Sequence, residues 1–262
     1  MNLPDIEPYP LPGRRGMDDN RLHWQADRAR AALLIHDMQN YFLRPYSQGA
    51  PADRAISHIH HLAATARDAG VPVIYSRQPP DQAPNQRGLL ADLWGAGPGA
   101  APDDADITAT LTPHPGDKIV TKHRYSAFHA TDLAAHLHRA GRDQLIVTGV
   151  YAHLGCLLTC TDAFMQGIQP FLIADATADF DAEHHTWALR YAATRCAVVA
   201  LTADISRALT GAHRPAPGAR QAVPCTQTPS TPHGPEPAHN TTVKEELPIS
   251  YPASEEHHDP HQ

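Results

Sequence analysis

Six short, continuously apolar runs separated by helix-length stretches constrain this chain most. They fall at 31–36 (AALLIH), 71–76 (VPVIYS), 117–121 (DKIVT), 144–149 (QLIVTG), 169–174 (QPFLIA) and 196–201 (CAVVAL). Strands that are apolar on both sides belong in a parallel sheet covered on both faces. Helix-like segments at 53–69, 130–140, 156–167 and 182–194 lie between most of them, several ending at a glycine (Gly70, Gly141, Gly167) suited to a left-handed C-cap. Strand–helix alternation of this kind predicts an α/β fold, Rossmann-like and three-layered α/β/α, with a mostly parallel six-stranded sheet.

In such sheets, ligands bind outside the carboxyl ends of the strands. The first run leads directly into a carboxylate, Asp37, within LLIHDMQNYF (33–42). As a turn or helix-capping residue Asp37 would be unremarked, but its position at a strand's carboxyl end makes it a catalytic candidate. Lys122, just after Lys118-Ile-Val-Thr121, lies on the same rim. Gly149-Val-Tyr-Ala-His-Leu-Gly155-Cys156 follows another strand and opens a helix, where backbone amides hold anions. Gly155 serves either backbone geometry there or the third side of a site. Cys156 and Cys160 share one helix face and read as packing residues, although a helix N-terminus lowers a thiol pKa.

Composition narrows the function. A net charge of −7 excludes a generic nucleic-acid footprint. No apolar run approaches the ~20 residues that span a bilayer. The N-terminus shows no secretory pattern and the four cysteines no framework spacing, so a cytoplasmic, reduced chain is expected. The nineteen histidines form no recognised ligand set. His36, Asp37 and His123 make at most a partial metal site, so no metal is expected. No glycine-rich phosphate loop follows the first run, so nucleotide binding is not expected either. The segment 77–116, rich in Pro, Gly and Asp, is a long irregular excursion of the kind that forms lids and pocket walls. From residue 210 onward prolines, threonines and histidines crowd a stretch without apolar period. The expected division is a folded domain over 1–209 and a disordered tail over 210–262.

Several long motifs, in order, resemble the isochorismatase family: LLIHDMQNYFLRP (33–45), QRGLLADLWG (86–95), TKHRYSAF (121–128), GRDQLIVTGVYAHLGC (141–156), TDAF (161–164) and IQPFLIADATADF (168–180). Within it, the chain is most similar to isochorismate hydrolases of siderophore pathways and 2-amino-2-deoxyisochorismate hydrolases of phenazine-type pathways. The wider superfamily includes cysteine hydrolases that use an Asp, a Lys and a Cys. The resemblance places the first two roles on Asp37 and Lys122 and the nucleophile position on Gly155, which has no attacking group. It further implies that Gln78 and Arg87 hold substrate, that Phe42, Trp94 and Tyr151 wall the pocket, that a cis peptide lies near Val150-Tyr151, and that the protein is a homodimer. Position 123 is His where relatives commonly carry Trp.

The reaction so implied needs no cofactor. It splits the enolpyruvyl ether of a chorismate-derived small molecule into pyruvate and a cyclohexadiene acid, with Asp37 as general acid. Lys122 alone would keep Asp37 ionised; a substrate carboxylate engaging Lys122 would reverse that. A cysteine amidohydrolase and an inactive scaffold are the competing readings.

Overall fold

The first run, Ala31–His36, is buried at every position, and its side chains divide between two cores. Ala31, Leu33 and Ile35 enter one apolar cluster; Ala32 and Leu34 enter the other. This period-two division requires a layer of helices on each side. A computed structural model describes residues 3–14, 19–47 and 51–211. In chain order its elements are β1 (Ala31–His36), α1 (Asn40–Leu43), α2 (Pro51–Asp68), β2 (Val73–Arg77), α3 (Pro84–Arg87), α4 (Leu90–Trp94), β3 (Lys118–Thr121), α5 (Leu133–Arg139), β4 (Gln144–Val150), α6 (Leu157–Met165), β5 (Gln169–Ala178), α7 (Ala182–Arg195), β6 (Val198–Ala200) and α8 (Thr202–Leu209). A 3-10 turn at Ala109–Leu111 precedes β3, and a π-helical turn at Ala152–Cys156 precedes α6.

All six strands are parallel, in the order β3-β2-β1-β4-β5-β6. Ala55, Ile59, Leu62 and Ala66 of α2, with Ile205 and Leu209 of α8, cover one face. The other face is covered by α5 (Leu133, Leu137), α6 (Leu157, Cys160, Ala163) and α7 (Ala188, Leu189, Ala192). The order reverses direction between β1 and β4, which opens a crevice at their carboxyl ends.

Two details differ from the sequence reading. β5 runs four residues past its apolar run, to Ala178, because its polar residues are satisfied within the protein. The Thr177 hydroxyl donates to the Ile173 carbonyl (3.0 Å) and meets His185 Nε2 (3.0 Å), while Asp175 accepts from the Thr202 amide and hydroxyl. The excursion over 77–116 contains α3, α4 and the 3-10 turn, and it is stitched to the segment after β1. Thr108 N donates to Met38 O (2.9 Å), Asn40 N to Asp106 O (2.9 Å) and Tyr41 N to Asp104 O (3.1 Å). Buried Asp104 pairs with Arg44 and accepts from Ala101 N (2.8 Å). α8 ends at Leu209; of the expected tail over 210–262, residues 212–262 lie outside the described residues.

Candidate active site

Four strands end at the crevice, and each delivers a polar side chain. Asp37 follows β1, Ser76 and Gln78 lie at the end of β2, Lys122 follows β3, and the loop after β4 carries Tyr151 and Gly155. Asp37 has φ +49°, in the left-handed region that costs a non-glycine residue energy and recurs at functional sites. Its amide donates to Ser76 O (3.2 Å).

Asp37 and Lys122 form a buried ion pair, Oδ2 to Nζ 2.6 Å, with Asp37 3% and Lys122 1% exposed. The Ser76 hydroxyl donates to Asp37 Oδ1 (2.7 Å), and Lys122 also donates to Arg124 O (2.9 Å). Burial pushes the Asp37 carboxyl upward. The charges of His36 and Lys122, with the hydrogen bonds from Lys122 and Ser76, outweigh it and hold the carboxyl below its usual range. Burial also lowers the His36 pKa.

Gln78 is fixed by buried Gln39, whose Oε1 accepts from Gln78 N (2.7 Å) and whose Nε2 donates to Gln78 O (2.8 Å). Arg87 is buried; it donates from Nε to Gly95 O (2.9 Å) and from Nη1 to Gln78 Oε1 (2.7 Å), and it has no ion pair among the described residues. Burial pulls its pKa down, but an arginine keeps its charge. A guanidinium buried without a counter-charge is expensive unless an anion joins it.

One pocket brings these groups together. Asp37, Gln78, Arg87, Phe42, Trp94, Tyr151 and Gly155 all line it. Lys122 does not: it stands behind Asp37, so the cation on the wall is Arg87 rather than the lysine. The aromatic side chains are anchored as well as packed. Tyr151 donates to Phe42 O (2.7 Å), Trp94 Nε1 donates to the Tyr125 hydroxyl (2.6 Å), and Tyr151 lies 4.5 Å from Phe180 between ring centroids. The peptide Val150–Tyr151 is cis. Sequence reading missed Ser76, Gln39 and Tyr125, and gave His36 only a part in a partial metal site. Ser76 and Gln39 left a readable trace, being polar residues beside apolar runs that face a carboxylate-bearing strand end.

His36 explains Gly155. Its ring is fully buried, with Nδ1 2.9 Å from Val150 O and Nε2 3.1 Å from Tyr125 O. A Cβ at position 155 would stand 2.1 Å from His36 Cε1, and one at Gly149 (φ +107°) 2.1 Å from His36 O. Both glycines are therefore demanded by close approach to His36. Cys156 points away from the cavity, its Sγ 3.8 Å from Thr148 O, and burial pushes its thiol pKa well up. His123 does not converge with His36, as the metal reading would require; its Nδ1 meets Gln82 Oε1 (2.9 Å).

The chain that carries this site is similar to known proteins. The isochorismatase domain profile matches residues 31–204. This chain belongs to the isochorismatase family. It is 49% identical over 203 residues to the phenazine biosynthesis protein PhzD of Pseudomonas fluorescens, covering 78% of this chain and 98% of that protein. It is 45% identical over 203 residues to the isochorismatase of Bacillus subtilis (strain 168), covering 77% of this chain and 65% of that one. Among solved structures, a cysteine hydrolase from Pseudomonas syringae pv. phaseolicola 1448A matches with a TM-score of 0.67 and 26% identity, over 78% of this chain and 99% of that one. The three-layered α/β fold with a six-stranded parallel sheet, predicted from six apolar runs, is the fold observed, and the family is the one the sequence motifs resemble.

Because the space beyond Gly155 is filled by His36, Gly155→Ala should overpack the site and destabilise the protein by about 1–3 kcal/mol. Urea unfolding of the variant against wild type measures this directly.

Proposed function

We propose that this chain hydrolyses the enolpyruvyl ether of isochorismate or 2-amino-2-deoxyisochorismate to pyruvate and the corresponding cyclohexadiene acid, in secondary-metabolite biosynthesis. The observation that carries the reading is Gly155, sealed by His36, beside an intact Asp37–Lys122–Arg87 set. The site has a general acid and a carboxylate-binding cation but nothing that can form an acyl-enzyme, which disfavours the amidohydrolase reading. The relative named isochorismatase, 45% identical, supports the same substrate class.

In this mechanism Asp37 protonates the terminal methylene carbon of the enolpyruvyl group, leaving an oxocarbenium ion. Water adds to the cationic carbon and returns a proton to Asp37. The resulting hemiketal breaks its bond to the ring oxygen, releasing pyruvate and the ring alcohol. Arg87 binds a substrate carboxylate bidentately. Phe42, Trp94 and Tyr151 keep the cation in a dry pocket.

Lys122 keeps Asp37 ionised in the free enzyme, whereas catalysis needs it protonated. A dianionic substrate resolves the conflict, because its carboxylates place negative charge beside Asp37 and raise the carboxyl pKa. The acid is active below that pKa and lost above it. The pH at which kcat falls should therefore lie higher than the pH at which kcat/KM falls, since the former reports the complex and the latter the free enzyme. Coincident midpoints would remove substrate arming from the mechanism.

Pyruvate release, followed by a lactate dehydrogenase couple with each substrate separately, tests the assignment. Asp37→Ala should lower kcat about 10²–10⁴-fold, the usual contribution of a positioned acid. A folded wild type that releases pyruvate from neither substrate would refute the assignment.

Three cysteines, Cys156, Cys160 and Cys196, are buried and free, which supports a reducing, cytoplasmic setting. Among the described residues no helix is long and apolar enough to cross a membrane. The homodimer reading is supported by Trp187 and Tyr191 on α7, exposed yet paired with ring centroids 5.6 Å apart. Light scattering should give a dimer mass for wild type and a monomer mass for the Trp187→Asp/Tyr191→Asp double variant.

A further inference from the structure

The side-chain amide of Gln78 can face Asp37 with either end, and only one is useful. With Nε2 forward it donates toward Asp37 Oδ2, at 3.5 Å. With Oε1 forward it would repel the carboxylate. Two donors select the first orientation by occupying Oε1: Arg87 Nη1 at 2.7 Å and Gln82 Nε2 at 3.4 Å. Gln82 has the same ambiguity, and His123 resolves it. Because Gln82 Nε2 is directed at Gln78, its Oε1 must accept, so His123 Nδ1, 2.9 Å away, must carry the hydrogen. The result is a one-way chain: His123 Nδ1–H to Gln82 Oε1, Gln82 Nε2–H to Gln78 Oε1, Gln78 Nε2–H toward Asp37.

Neither His123 nor Gln82 lines the cavity. The His123 backbone is held without its ring: Lys122 N donates to Arg77 O (2.9 Å) and Arg124 Nη1 to His123 O (2.9 Å). The imidazole's hydrogen bond among the described residues is the one to Gln82.

We propose that His123 is a positioning residue that acts through Gln82 to keep the N–H end of Gln78 directed at Asp37 once substrate has engaged Arg87. This rests on the reading of Asp37 as the general acid and Arg87 as the carboxylate ligand. In the free enzyme both donors hold Gln78 Oε1, Arg87 at the shorter distance (2.7 Å against 3.4 Å). A substrate carboxylate competes for that guanidinium, and Gln82 is then the donor that preserves the amide's direction. The titratable groups facing Asp37 are its β1 neighbour His36 and, from the segment after β3, Lys122, with Tyr151 and Cys156 further off; none of their side chains is hydrogen-bonded to the His123 ring. An N–H directed at a carboxylate favours its ionised form and so makes Asp37 the stronger acid in the transition state.

The test uses the full-length enzyme, pyruvate release from whichever of the two substrates is turned over, and pH profiles of kcat and KM. His123→Leu keeps apolar bulk but removes the donor; His123→Asn removes the ring but keeps an N–H near the Nδ1 position and does not titrate. Gln82→Met breaks the chain one link later and carries the test if His123→Leu fails to fold by circular dichroism. The expected result for His123→Leu and Gln82→Met is a kcat lowered about three- to tenfold, KM within about twofold, and the high-pH fall in kcat moved upward by about one unit, the shift expected when a carboxylate loses a donor. His123→Asn should restore wild-type kcat and its pH profile. A packing role would give the reverse order, with Leu tolerated and Asn impaired, and would overturn the proposal. So would unchanged kcat profiles in folded His123→Leu and Gln82→Met. An Asp37→Asn control separates the two levels: inactive Asp37→Asn with unaffected His123 and Gln82 variants overturns only the positioning role, whereas an active Asp37→Asn overturns the acid assignment and this inference together.

Discussion

Everything at the crevice depends on a buried ion pair. Taking Asp37 and Lys122 out of water costs several kcal/mol per ion before their attraction and their hydrogen bonds offset it. The structure supplies those bonds from three directions: Ser76 from β2, the Arg124 carbonyl behind the lysine, and Gln78 in front. Loss of either charge leaves the other buried and uncompensated, so the pair and its surroundings stand or fall as a unit. The same arrangement holds the Asp37 carboxyl below its usual range despite its burial.

Parallel pairing is what makes this concentration of polar groups possible. β1 pairs with β2 on one side and β4 on the other, His36 standing opposite both Ser76 and Gly149. Three loops therefore leave the sheet at one level. The excursion over 77–116 then folds back, tied through Asp104, Asp106 and Thr108 to the segment after β1, and brings Arg87 and Trp94 over the opening. A long connection with little regular structure is tolerable here because its polar backbone is hydrogen-bonded to the α1 region.

Strand ends were legible from the sequence because apolar runs mark them, and Asp37 and Lys122 could be nominated from position alone. Gln78, Arg87 and the aromatic wall came from likeness to a family, since nothing in their local pattern sets them apart. Ser76 and Gln39 were missed, and His36 was read only as part of a partial metal site, for a physical reason: their roles exist only across strands, and register is a property of the fold. Ser76 matters because it lies beside His36–Asp37, and Gln39 because its amide is shaped to the backbone of residue 78. β5 was underestimated because Asp175 and Thr177 interrupt its apolar run, while their partners Thr202 and His185 lie far along the chain.

His36 and Gly155 are 119 positions apart in sequence yet compete for one volume. Neither position can drift alone. A side chain gained at 155 meets the imidazole, and a smaller residue at 36 abandons two backbone carbonyls and leaves a void. A larger side chain at 155 therefore requires residue 36 to move or shrink at the same time, which couples the end of β1 and the turn after β4 into one packing decision.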